Sequence, residues 1–257
     1  MNRIRQLPAA VIIAASIMLC TNLQTALAQQ APAATPLRTV LALTRLPSVV
    51  EAPLFFRLSE IELLAGQSTN YAGPVGFIYL LSGSLDTRAN SSQPALQPGD
   101  GLLLSAGKTY SFETVGSQPA VFLHFVLARA AELDQVGEQQ PAVVTELYRT
   151  PGPITHLKPG PYEFTLTRVA FPTRMPPNLP HNRSGAALYY ILSGPGEFIA
   201  DGKTEAKETG TPHFEPHGWV HQWSNTGDTP LILLQANLSE EGVPAVIMDQ
   251  SSSGPKR

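Results

Sequence analysis

The chain has 257 residues, a net charge of −3 and only 14% charged residues. Without a basic stripe it lacks the electrostatic footprint of a nucleic-acid partner. Its 24 prolines and 20 glycines, set among short β-branched and aromatic runs, favour an all-β chain rich in turns. Arg3 and Arg5 precede an apolar run over residues 9–19, followed by a polar stretch and Ala26-Leu27-Ala28. A charged start, a short apolar core and a small-x-small site predict a secretory signal peptide over residues 1–28. An uncleaved anchor is the alternative, although the run is about half the roughly 20 residues that span a bilayer. Cys20 is the only cysteine, so removing the leader also removes disulfides, thiol catalysis and Cys-ligated metals. The expected location is periplasmic or secreted, in a bacterium.

The rest of the chain repeats itself. Residues 79–127 align with 190–238 without a gap, at the offset of 111 that separates Tyr79 from Tyr190. Tyr79-Leu80-Leu81-Ser82-Gly83 matches Tyr190-Ile191-Leu192-Ser193-Gly194, and Gly99, Gly107, Gly116, Pro119, Leu123 and Leu127 fall on Gly210, Gly218, Gly227, Pro230, Leu234 and Leu238. These are turn and core residues, so a fold was duplicated and its framework kept. The first copy predicts strands over residues 54–64, 76–87, 101–104, 110–114 and 120–128. The second predicts them over 162–171, 187–200, 212–215, 221–224 and 230–238. Short strands at regular spacing suggest a closed barrel or double sheet, bent at Ser82-Gly83 and Ser193-Gly194. Residues 130–161 read as a partly helical linker, in which 148–151 echo 43–47.

The stretch Pro216-x-Gly218-x-x-His221-x-x-x-Asn225 resembles the second motif of the cupin superfamily, small antiparallel β-barrels whose lumen often holds a divalent metal. The resemblance implies an all-β bicupin of two tandem jelly-roll barrels. Its expected limits are residues 37–130 and 161–248, with a linker and arm over 131–160 and a mobile tail over 249–257. A paired arm before each barrel is similar to the strand exchange that joins bicupin halves.

The family's first motif supplies two histidines and a glutamate. Counting back from Tyr190, the resemblance places Ala187 at the glutamate, Arg183 at the second histidine and His181 at the first. His181 and His221 alone remain as metal ligands, and Arg183 adds a permanent cation. Counting back from Tyr79 gives Gly76, Ala72 and Asn70, with Tyr110 opposite His221, so no ligand remains in the first barrel. His213 and Glu215 share a strand face and, with His217 on the turn, are replacement ligands, although the glutamate is not one the family usually uses.

Alternation along the strands gives the first lumen Gly76, Ile78 and Leu80 with Tyr110 and Phe112, a packed apolar interior. The second lumen receives Ala187, Tyr189, Ile191, His181, Arg183, His221 and Trp223, and small Ala187 leaves room for a small molecule. Singly, His221 equally suits a core histidine and Arg183 a solvent-facing side chain; their conjunction points to a pocket. The expected ligand-binding residues are Arg183, Tyr189, His181, His221 and Trp223. The expected cofactor is none, or a single Fe, Mn, Ni or Zn on His181 and His221. The leading reading is an exported bicupin whose C-terminal barrel binds a small, anionic or carbohydrate-like ligand. It would work as a monomer or weak homodimer, off the membrane once the leader is cleaved. The alternative is a metal-dependent dioxygenase, decarboxylase or isomerase.

Overall fold

The computed structural model describes residues 35–48, 53–88, 95–134 and 140–249. The expected leader over 1–28, and all but the first residue of the expected tail, lie outside them. Among the described residues no helix is long and apolar enough to cross a membrane.

Two barrels follow one another. In the first, β2 (Leu54–Leu63), β4 (Gly76–Ser82), β6 (Gly101–Leu104), β8 (Ala120–Arg129) and β9 (Val143–Arg149) form a sheet in the order β6-β4-β8-β2-β9. It faces a smaller sheet of β3 (Ser68–Ala72), β7 (Thr109–Thr114) and β5 (Leu85–Thr87), in the order β3-β7-β5. In the second barrel, β1 (Leu37–Leu46), β10 (Tyr162–Phe171), β12 (Ala186–Ser193), β15 (Pro212–Glu215) and β17 (Leu231–Glu240) form a sheet ordered β1-β10-β17-β12-β15. Opposite it lie β11 (His181–Arg183), β13 (Pro195–Ala200), β14 (Lys203–Glu208), β16 (His221–Ser224) and β18 (Val246–Met248), ordered β14-β13-β16-β11-β18.

The sequence repeat is a repeat of register. Gly76 lies opposite Val126 and Leu104, and Ala187 lies opposite Asn237 and Glu215, each 111 residues on. Both long strands slip by a residue at the same place, between Leu80 and Ser82 and between Ile191 and Ser193. There Gly83 and Gly194 take left-handed backbone conformations (φ +79° and +100°) that side-chain-bearing residues resist. The runs expected over 76–87 and 187–200 are therefore two strands each. The hairpin of β13 and β14, which alternation did not reveal, turns on Asp201-Gly202 with both φ values positive.

The arms cross over. β1 precedes the first barrel in sequence yet pairs with β10 of the second, whereas β9 precedes the second and pairs with β2 of the first. Sheet limits thus differ from the expected domain limits. Among the described residues of the linker, β9 is strand and one turn, α1 (Ala130–Leu133), is helix.

Among the described residues, three apolar clusters result. Phe77, Tyr79 and Phe125 of the first barrel meet Phe164, Leu188 and Leu234 of the second, with the Phe77 and Phe164 rings 4.5 Å apart. The strands joining the barrels are buried on both faces, which is why β4 reads as an unbroken apolar run. Ile78, Leu80, Tyr110 and Phe112 fill the first lumen as expected, and Tyr189, Ile191 and Trp223 belong to the second.

At Gly76, the position of the family's glutamate in the first barrel, an added Cβ would stand 2.4 Å from the Phe125 carbonyl oxygen. No side chain fits there. Gly76→Ala is expected to cost about 1–3 kcal/mol, read as a lower denaturant midpoint. An unchanged midpoint would show that β4 and β8 yield freely at that contact.

Candidate functional site

The second lumen is organised by Glu215. Strand β15 runs edge-on beside β12 and places this carboxylate inside, in the register that Leu104 holds in the first barrel. A fully buried carboxylate needs compensation, and it has three partners. Arg183 Nε donates to Oε2 at 2.7 Å, and Trp223 Nε1 donates to Oε1 at 2.7 Å. His221 Nε2 lies 3.0 Å from Oε1. Burial alone would push the Glu215 pKa up, but the Arg183 charge and the His221 and Trp223 contacts outweigh it and hold the carboxyl well below its usual range.

Arg183 is 1% exposed and not solvent-facing. Burial would lower its pKa, yet the Glu215 carboxylate outweighs this, so the guanidinium stays charged. Its Nη2 donates to the Tyr189 hydroxyl, while Nη1 is buried without a hydrogen-bond partner. Burial pushes the Tyr189 phenol upward, so this side chain stays neutral.

The two histidines sit opposite each other across β11 and β16, with ring centroids 4.4 Å apart. His181 Nδ1 contacts the Leu179 carbonyl at 2.9 Å, and His221 Nδ1 contacts the Trp219 carbonyl at 2.7 Å. A carbonyl only accepts, so each Nδ1 carries a proton. Burial, followed by the His221 charge, lowers the His181 pKa to about 4. His181 is therefore neutral at pH 7, and its Nε2 is a buried lone pair with no partner. His221 Nε2 instead faces a Glu215 carboxylate oxygen.

All five expected ligand-binding residues thus meet in one place, but the room expected above Ala187 does not exist. The space is taken by Tyr189, Trp223 and the ion pair. What remains is a crevice lined by Arg38, Asn178, His181, Arg183, Tyr189, Trp223 and Gln235 among others, with about 190 Å³ of empty space and nowhere wide enough for a water molecule. A roomier cavity of about 330 Å³, lined by Leu54, Val75, Leu127 and Arg129, lies apart from this chemistry.

Sequence reasoning missed Arg38 and gave Glu215 too little weight. Arg38 arrives on β1, whose exchange into this sheet sets it beside Val169. It donates to the Gln235 side chain at 3.2 Å. Partial removal from water lowers its pKa, and the nearby Arg183 charge adds to that. Of the other candidate ligands, His213 packs on Phe198 at 4.2 Å and is lowered to about 4 by burial, and His217 lies 5.6 Å from His156.

These residues do not fit a resident divalent metal as they stand. Glu215 is fully engaged, a guanidinium holds one of its oxygens, and His221 is turned to the other. Among the described residues no group of three or more His, Cys, Asp or Glu side chains is placed to hold a metal ion. His181 and His221 are together, but the charge that a metal would supply is already present as Arg183.

Residues 170–236 match the cupin domain family. No curated protein sequence matches the chain. Among solved structures, the fold is similar to AerE from Microcystis aeruginosa, at 17% identity over 81% of this chain and 98% of that one, with a TM-score of 0.51. It is also similar to a variant of oxalate decarboxylase from Bacillus subtilis, at 13% identity over 82% and 80% of the two chains, with a TM-score of 0.50. At such identities the likeness is one of fold.

Proposed function

We propose that the C-terminal barrel, whose residues 170–236 match the cupin domain family, binds a small carboxylate without a metal. The first barrel, closed at Gly76 and filled with apolar side chains, is its structural partner. One observation carries this reading: His181 and Arg183 line the same crevice, and each keeps a buried nitrogen without a partner. Arg183 Nη1 is a donor and His181 Nε2 an acceptor, so a small carboxylic acid satisfies both at once, its carbonyl oxygen accepting from Nη1 and its hydroxyl donating to Nε2, and its anion does so once the proton has passed to His181. Charge favours the anion, because Arg38 and Arg183 face a single Glu215 across the crevice. Entry requires exposed Arg38 to swing aside and close again on the ligand, which makes β1 part of the site. An exported location, with residues 1–28 removed, belongs to the same proposal. Intact-mass measurement on protein recovered from the bacterial periplasm tests it, and retention of those residues contradicts it.

Calorimetric titration in chelator with formate, acetate and malonate tests the binding. At least one anion should bind the wild type, and Arg38→Ala should bind it at least tenfold more weakly, about 1.4 kcal/mol, while neutral glucose gives no heat. Absence of binding by all three anions, or equal binding by the variant, would overturn the reading. A catalytic version has one point in its favour: the His181 lone pair is suited to take a proton from a bound acid. Under it, His181→Gln would stop product formation while leaving anion binding measurable. Failure of the wild type to convert any bound anion sinks that version.

A further inference from the structure

The chain crosses between the barrels twice, and the two crossings differ in what lies beside them. Residues 46–54 lead from β1, paired in the second barrel, to β2 of the first. Residues 154–162 follow β9, paired in the first barrel, and lead to β10 of the second. Register makes the crossings equivalent. Leu54 lies opposite Arg129 as Tyr162 lies opposite Glu240, and Arg129 and Glu240 are separated by the 111 residues of the repeat. Leu46 stands beside Tyr162, and the Ile154 amide donates to the Leu54 carbonyl oxygen at 2.8 Å. Ser48 therefore corresponds to His156, and Ala106, by the repeat, to His217. At the second crossing these places are filled by rings. Tyr162 is 1% exposed, its hydroxyl accepts from the Lys158 amide at 2.8 Å, and the His156 and His217 rings lie 5.6 Å apart. Glu240 is paired there with Lys158 Nζ at 3.1 Å. At the first crossing, Leu54, Ser48 and Ala106 instead line the cavity of about 330 Å³, with Val75 and Leu127 as apolar wall. Exposed Arg129 lines it too, in the place of Glu240.

We infer that this cavity is a binding site for a small aromatic carboxylate, its ring placed where Tyr162 lies at the other crossing and its carboxylate on Arg129. The volume is that of a small-molecule pocket, for which about 300 Å³ is the lower bound. Each of the three replacements removes a ring, so the space left is the space of an aromatic side chain against aliphatic walls. The exchange of charge sets the other end of the ligand. At Glu240 the chain brings its own counter-charge in Lys158, whereas the equivalent position here is a guanidinium, whose planar fork takes a carboxylate by two parallel bonds. The Glu132 carboxylate also lines the cavity, but its Oε2 accepts from the Arg129 backbone amide at 2.9 Å. The site shares no lining residue with the crevice of the second barrel. Failure of the anion titrations proposed for that crevice leaves this inference standing.

The test is calorimetric titration of the full-length chain and of Leu54→Tyr, which gives the first crossing the ring of the second. Phenylacetate is the probe, with acetate lacking the ring and phenethylamine lacking the acid. Heat lost between the two proteins belongs to this cavity and not to the crevice of the second barrel. Phenylacetate should lose at least tenfold in affinity in Leu54→Tyr, while the acetate and phenethylamine titrations are the same for both proteins. Arg129→Met, a change at an exposed side chain, should also bind phenylacetate at least tenfold more weakly. Absence of phenylacetate binding by the wild type overturns the inference. So does binding that is unchanged in Leu54→Tyr or in Arg129→Met, or an equal loss for acetate or phenethylamine. Should Leu54→Tyr fail to fold, Ala106→His, which fills the same cavity from an exposed turn, takes its place, and unchanged phenylacetate binding by that variant overturns the inference equally.

Discussion

Glu215→Gln is expected to lower the stability of the folded chain by about 3–5 kcal/mol, because it removes one member of a buried ion pair and leaves the Arg183 charge without compensation. The exposures are 1% for the Arg183 side chain and 0% for that of Glu215, so water cannot replace the lost partner. For a domain of this size, such a loss lowers the melting temperature by roughly 6–20 °C. An amide also places a donor where Arg183 Nε and Trp223 Nε1 now donate, and one of the two loses its acceptor. The paired substitution Arg183→Met with Glu215→Leu removes both charges and should melt near or above the wild type. Thermal unfolding of the three proteins at pH 7 reads the effect. A single variant as stable as the wild type would mean that the lumen does not depend on this charge pair.

Acid should weaken the protein well before its carboxylates are neutralised. Burial lowers both His181 and His213 from 6.5 to about 4. Between those values the unfolded chain takes up protons that the folded chain refuses, so stability falls as pH falls. It is complete above about pH 6.5, and each histidine withdraws about 3 kcal/mol by pH 4. Together they remove about half of what holds a typical domain folded. Glu215 acts in a different window. Its folded pKa lies well below the usual carboxylate range, so its contribution persists through the histidine window and is lost only at lower pH. Denaturant midpoints from pH 7.5 to 4 measure this, and His213→Phe, which keeps an aromatic ring against Phe198, should remove about half of the slope. A flat profile across that range would show that the two imidazoles reach water in the folded state.

The framework was legible because turn chemistry is local. The strand over Tyr162–Phe171 and the short strand over Pro212–Glu215 are bracketed by Gly and Pro, and the offset between Tyr79 and Tyr190 carries over into identical strand registers. The lumen-facing set followed from period two once the family motif fixed one inward position. What periodicity cannot reveal is pairing. Glu215 stood only as a replacement ligand because its partner Arg183 lies 32 residues away, and only the two together explain why either is buried. Arg38 was invisible for a related reason: it reaches the second barrel by a strand crossing over from the start of the first. The expected pocket failed because small Ala187 was counted as space, whereas large Trp223 and the Arg183–Tyr189 contact close over it. The crevice that remains is defined by unpartnered nitrogens, which no sequence pattern displays.

The direct check on a lumen held by a guanidinium is the metal content of the wild-type chain, purified without chelator and without a metal-binding tag, then incubated with Fe(II), Mn(II), Ni(II) and Zn(II) and desalted. Elemental mass spectrometry should find far less than one equivalent of any of them, with no change when His181 and His221 are both replaced by alanine. Near one equivalent in the wild type, lost in that double variant, would show that a metal displaces Arg183 from Glu215 and would contradict the account.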